Sequence, residues 1–217
     1  MRNFDYSYLK NRTWDNEILT YVAKIHEFKG KQELYIRQKP VELERLIEVA
    51  KVQSTESSNR IEGIITTRSR LQQLVEDKTT PRNRDEKEIL GYRNVLNLIH
   101  ENYEYIPFRS NYILQLHRDL LQYTELTYGG KYKTIPNEID AVLPNGAKRI
   151  LFKPLEPYET PEAIEQICDS YQRALEQEIV DPLILIPCVI LDFLCVHPFN
   201  DGNGRMSRLL TLLLLYR

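Results

Sequence analysis

The segment "PLILIPCVILDFLCV", which follows Asp181, is apolar on nearly every side. A helix of that character has no face to turn to water, so it must lie at the centre of whatever the chain builds. A Leu-rich run, "RLLTLLLLY", begins a few residues later. The connection between them, "HPFNDGNGRMS", is crowded with polar groups and glycine. Two core helices joined by such a loop bring polar chemistry to the edge of the core, and the rest of the chain has to fold around that junction.

Helical periodicity dominates the remainder. Ile18, Tyr21, Val22 and Ile25 recur at i, i+3, i+4, i+7, with Gly30 as the expected stop. Leu43, Leu46, Ile47 and Ala50 repeat the pattern after Pro40. Further stripes are Ile89, Tyr92, Leu96 and Ile99, then Ile113, Leu116, His117 and Leu120 behind a candidate N-cap at Ser110. Another is Ile164, Ile167, Cys168, Tyr171 and Leu175, where Pro161 suits a first helical position. Pro187 is expected to kink the central helix. Residues 76–86, "EDKTTPRNRDE", read as a polar linker, and 82–87 as a solvated helix start. Residues 134–157 lack the 3.6 period and carry Pro144-Asn145-Gly146 between apolar runs, a strong hairpin signal. The expected fold is all-α, a helical bundle with one inserted β-hairpin. The expected division is an N-terminal helical region, 1–78, and a core, 79–217.

Twenty-nine Lys and Arg against 31 Asp and Glu leave a net charge of −2, so nothing recommends nucleic acid as a partner. Cys168, Cys188 and Cys195 lie in apolar helical patterns and suit packing thiols of a cytoplasmic chain. Neither a signal peptide nor an apolar run of membrane length is legible. The last apolar run stops at Arg217, so the chain is expected to be a piece of a longer one. His117, on an apolar stripe, reads as a core histidine.

The loop has a chemistry of its own. His197-Pro198 ends the central helix, because proline disfavours helix in the residue before it. A new helix is expected near Gly204 or Arg205, with free N–H groups and a dipole that favour an anion. Gly202 and Gly204 permit positive φ and close approach. Arg205 and Arg208, three apart, share a helical face, so the loop reads as a polyphosphate site. Asp201 adds a hard oxygen suited to Mg²⁺ shared with phosphate. His197 can take a proton near neutral pH.

"HPFNDGNGRMSR" resembles the signature of the Fic family, H-x-F-x-[D/E]-G-N-G-R-x-x-R, at every fixed position. "SSNRIEG", residues 57–63, resembles the inhibitory motif [S/T]-x-x-x-E-[G/N] of some members, and "GKYKTIPNEI" with its hairpin resembles the family's flap. The resemblance implies transfer of AMP from ATP to a Ser, Thr or Tyr hydroxyl of a protein. It implies His197 as general base, Asp201 as Mg²⁺ ligand, and Gly202, Asn203 and Gly204 as an anion hole. It further implies Arg205 and Arg208 as phosphate grips and Phe199 as a core residue. Ser58 and Glu62 become regulatory, with Glu62 pairing Arg208 and holding the enzyme off. On the residues alone, Glu62 reads first as a solvated helix-end carboxylate beside a Gly63 C-cap, an order only the resemblance reverses, and the hairpin holding Lys153 is equally a plain one. Lys133 stands where the family often has Arg. Removal of AMP, transfer of another phosphate group, or a non-catalytic nucleotide-binding module stay open as alternatives. A homodimer is compatible with the sequence.

Overall fold

The computed structural model describes residues 4–38, 40–142, 146 and 148–217. Among them run eight α-helices: α1 Asn16–Gln38, α2 Pro40–Ile61, α3 Arg68–Val75, α4 Arg84–Asn102, α5 Ser110–Leu121, α6 Thr160–Glu176, α7 Pro182–Val196 and α8 Asn203–Tyr216. The strands β1 Ile139–Val142 and β2 Lys148–Phe152 pair antiparallel between α5 and α6. An irregularity between Ile139 and Asp140 shifts their register. The bundle with one inserted hairpin is therefore as expected. Pro144 and Asn145, on which the turn was read, lie outside the described residues; Gly146 has φ +80.

The core forms where apolar stripes meet. Tyr92, Leu96 and Ile99 of α4 pack with Ile113, Leu116 and Leu120 of α5, Ile164, Ile167 and Cys168 of α6, and Leu185, Val189 and Phe193 of α7. Leu209, Leu210, Leu213 and Leu214 of α8 close it. Burying each such side chain contributes about 1.5–3 kcal/mol. Asp181 caps α7 by accepting from Leu183 N–H at 2.8 Å, with Pro182 at the first helical position. The helix continues through Pro187. One side of α7 stays open, with Leu191 exposed and Cys188 and Cys195 half-buried, so α7 is less enclosed than its composition implied.

Other readings need correction. Gly30 does not stop α1, which continues to Gln38, because the stop needs a left-handed turn that nothing in this exposed hairpin imposes. The stripe of α1 and the first half of α2 finds little to pack on: Tyr21, Ile25, Leu46 and Ile47 are exposed. Arg109, not Ser110, is the N-cap of α5. The short α3 was not foreseen; Leu71 and Leu74 bury against Ile89 of α4.

Residues 82–84 are exposed as expected, but Glu86 is not. Glu86 is 3% exposed and grips Arg70 of α3, Nη2 to Oε2 at 2.7 Å, while accepting from Arg82 N–H and Thr66 Oγ1. The loop thus ends at Asn83, whose side chain accepts from Glu86 N–H. Arg70, with the Arg82 amide and Thr66, holds the Glu86 carboxyl at about 2, well below its ordinary 4.5. A lowered folded-state pKa stabilises the fold fully above about pH 4.5, and that contribution is lost as pH falls toward 2. Denaturant titrations across that window should show stability falling with acid, and Glu86→Gln should flatten the fall while lowering stability at pH 7.

Candidate active site at the start of the last helix

The site is built on the α7–α8 junction. His197 caps α7 in the left-handed region, φ 50 and ψ 62, with its N–H bonded to Phe193 O at 2.9 Å. A non-glycine residue there costs about 1–2 kcal/mol, so its surroundings must hold it in place. The chain then passes Pro198 and buries Phe199 in the core, where it stacks on the His117 ring at 3.7 Å. Gly202 follows with φ +82, a conformation that favours glycine, and a Cβ there would also press on Leu120. Helix α8 starts at Asn203 with no side-chain cap. Its first N–H groups therefore lack the acceptors that a preceding helical turn would supply.

The loop's carbonyls are bound from behind. Lys133 Nζ donates to Val196 O, Lys133 N–H to Pro198 O, and Asn137 Nδ2 to both His197 O and Phe199 O. Asp201 O faces His117 Nε2 at 3.1 Å. With the acceptors tied down, the donors at the start of α8 are left to face outward. None of Lys133, Asn137 and His117 was assigned this role from the sequence. Each partner lies 60 or more residues away, so no local pattern carries it.

His117 is the core histidine expected, and its tautomer follows from its neighbours. Nδ1 accepts the Gly130 N–H at 3.1 Å, so the proton sits on Nε2 and donates to Asp201 O. Burial pushes this imidazole down to about 4, against the pull of the Asp201 carbonyl. An NMR titration should find His117 neutral, with its proton on Nε2, until the pH approaches 4. A transition near 6.5 would mean that the ring is not enclosed as described.

His197 is half-buried, and its Nδ1 has no hydrogen-bond partner among the described residues. Burial lowers its basicity. The Lys133 ammonium adds to that, while the Leu194 carbonyl and Glu62 oppose it. An imidazole so held is neutral at physiological pH and free to accept a proton.

The residues expected to hold an anion divide into two groups. Arg208 and Gly204 face the open side together with α2. Arg208 Nε donates to Ser58 Oγ at 2.7 Å, and Nη2 donates to Ser58 O at 3.0 Å and Glu62 Oε1 at 2.6 Å. Glu62 lies directly over the first turn of α8, where a Cβ added to Gly204 would come within 2.2 Å of Oε1. A carboxylate therefore rests where the dipole and the free N–H groups favour negative charge. Gly204 is needed for that close approach rather than for a left-handed backbone, unlike Gly202.

Arg205 and Asn203 face inward. Arg205 is 1% exposed, with Nη1 at 2.9 Å from Glu88 Oε2 and Nη2 at 3.7 Å from Asp201 Oδ1. The Nη1 approach is not aligned as a hydrogen bond, and Nε is also unbonded. Glu88, itself buried, is shared with Arg84 on the surface. The Asn203 side chain accepts from Phe199 N–H at 2.9 Å and donates to Phe199 O at 2.7 Å. These two bonds clamp the loop against the start of α8.

Asp201 keeps a partly accessible carboxylate, with Oδ1 accepting the Gly202 N–H at 2.6 Å. Among the described residues no three His, Cys, Asp or Glu gather into a metal cluster. A cation here would be held by one carboxylate together with oxygens of a bound phosphate. Mg²⁺ binds in that way, so Asp201 fits it.

The family model described as the Fic/DOC family matches residues 107–215, a span that contains the whole junction. The chain belongs to the Fic/DOC family. A protein adenylyltransferase Fic of Nematostella vectensis is 25% identical over 185 residues, covering 81% of this chain. The chain spans 40% of that relative's length. Among solved structures, a Fic domain containing signaling protein from Bacteroides thetaiotaomicron superposes with a TM-score of 0.71. It is 27% identical, over 82% of this chain and 66% of that one. A Fic family protein from Desulfovibrio desulfuricans has the same TM-score at 20% identity, over 94% of this chain and 58% of that one. The helical Fic fold is thus shared with these structures. No helix of the described residues is long and apolar enough to cross a membrane.

Proposed function

We propose that this chain transfers AMP from ATP to a hydroxyl of a protein target and that Glu62 holds it in check. The observation that supports this best is Glu62 itself. Its carboxylate occupies the first turn of α8 and the Arg208 fork at once, as a terminal phosphate would. With Glu62 withdrawn, Arg208 takes the γ-phosphate, and the N–H groups of Asn203 and Gly204, joined by that of Gly202 if Asp201 turns to a cation, take the charge that develops on the transferred phosphate. Arg205, held by Glu88, adds fixed positive charge beneath the loop. A Mg²⁺ bound by Asp201 would neutralise phosphate charge and orient the chain for in-line displacement.

His197 accepts the proton of the attacking hydroxyl. The hydroxyl oxygen bonds to the α-phosphorus, the bond from that phosphorus to the bridging oxygen breaks, and pyrophosphate leaves. Such a reaction asks for positioning and charge stabilisation more than for covalent help. The target docks on the hairpin by strand addition. Ile150, Leu151 and Phe152 are exposed on β2, and Lys153 pairs only loosely with Glu138 at 3.4 Å. The setting for this activity is the cytoplasm.

The test is to incubate the Glu62→Gly chain with Mg-ATP and read the added mass on itself or on a co-incubated lysate. An AMP-sized addition supports the reading. A phosphate-sized addition replaces it with phosphoryl transfer, and no addition together with retained nucleotide binding replaces it with a binding module.

A further inference from the structure

The segment that precedes the hairpin caps the end of α7. Four successive carbonyls, at Val196, His197, Pro198 and Phe199, are each taken by a donor from Lys133 or Asn137. Lys133 Nζ also donates to Asn137 Oδ1 at 2.9 Å, which fixes the two side chains to each other. The carbonyls at a helix C-terminus lack intrahelical partners and carry the negative end of the dipole, so an ammonium there is doubly favoured. Lys133 is 2% exposed, and a buried ammonium persists only where its donors are used. Two residues beyond Asn137 the chain enters β1. The same short segment therefore joins the hairpin to the corner that carries His197.

We propose that Lys133 and Asn137 are positioning residues for His197, holding it at its left-handed corner and coupling it to whatever the hairpin grips. The proposal rests on the reading of His197 as the base. A target strand added to the hairpin pulls on a stem bonded to the carbonyl of His197 itself, so docking and alignment of the imidazole are mechanically one event. The charged groups facing His197 are Lys133 from the stem and Glu62 from α2, and Arg208 faces Glu62. Burial brings the Lys133 amine down to about 8, and Glu156 opposes the fall, so at neutral pH it is still mostly an ammonium. An ammonium beside an imidazole disfavours a second positive charge. Its removal must therefore make His197 more basic.

Lys133→Met tests this with two readouts, imidazole titration by NMR in the otherwise unaltered chain and turnover in the Glu62→Gly background. The His197 titration should move to higher pH. The acid limb of the kcat/KM profile should move the same way. We expect kcat to fall about tenfold, with Mg-ATP affinity within about twofold, because the phosphate cradle lies on α8 and not on the stem. Lys133→Arg should restore most of both, since it returns the cation and its donors. Asn137→Ala leaves the ammonium in place and should lower kcat several-fold without moving the titration. Unchanged titration in Lys133→Met overturns the proposal, as does failure of Lys133→Arg to rescue a folded chain. If Lys133→Met does not fold, wild-type kcat in Asn137→Ala overturns it. A Glu62→Gly chain that transfers nothing would remove the proposed reaction, while the titration would still decide whether Lys133 governs His197.

Discussion

Replacing His197 by alanine in the Glu62→Gly chain should slow transfer by roughly 10²–10⁴-fold, the usual worth of a positioned general base. Mg-ATP affinity should hardly change. The groups that would hold the phosphates sit on α8 and its preceding turn, whereas His197 closes α7. The ring is half-buried, and its Nδ1 makes no hydrogen bond among the described residues. The decisive comparison is kcat against the dissociation constant of ATP, both measured on the same protein. A variant that keeps its turnover would show that the hydroxyl loses its proton elsewhere. A variant that loses ATP binding in proportion would show that the ring serves the cradle.

The second large effect is expected in the opposite direction. Glu62→Gly should raise AMP transfer by roughly 10–100-fold. One charge-assisted hydrogen bond at a partly exposed ion pair contributes up to about 1.5–3 kcal/mol, and each 1.4 kcal/mol is a factor of ten. Both side chains are about one-third exposed, 31% for Arg208 and 34% for Glu62, so solvent screening keeps the effect below that of a fully buried pair. Charge and space can be separated. Glu62→Gln keeps the bulk over Gly204 and loses the charge, so it should be released only in part. Gly204→Ala places a methyl where Oε1 now lies and displaces Glu62, yet it should not activate, because the same methyl excludes a phosphate. Radiolabelled ATP and a fixed target concentration suffice for all three. Activation by Gly204→Ala would mean that Glu62 and the phosphate do not share the position over α8.

The exposed apolar face of α1 marks one boundary of sequence reasoning. Its periodicity matches that of α4 and α5, and the helix forms, but Ile18, Tyr21 and Ile25 remain exposed among the described residues. Periodicity reports that a face could be buried, not that a partner is present. Glu86 marks the other boundary. In a row of charges it reads as solvated, and in the fold it is among the most enclosed polar residues, because Arg70 approaches from a helix that the pattern did not reveal.

Local chemistry settled what local chemistry controls. The end of α7 follows from His197-Pro198, the need for glycine at 202 from the tight entry into α8, and the strands from their apolar runs. The twelve-residue motif brings an imidazole, a carboxylate and a helix N-terminus together because they are neighbours in the chain. Tertiary structure decided which side chains face the site and which support it. Arg205 turns inward to Glu88 while Arg208 turns outward to Ser58 and Glu62, though the two are three residues apart on one helix. A guanidinium follows the nearest desolvated acceptor, and that acceptor is delivered by a distant helix. For the same reason the carbonyls around His197 are held by Lys133 and Asn137, whose pairing exists only once the hairpin stem has folded back on α7.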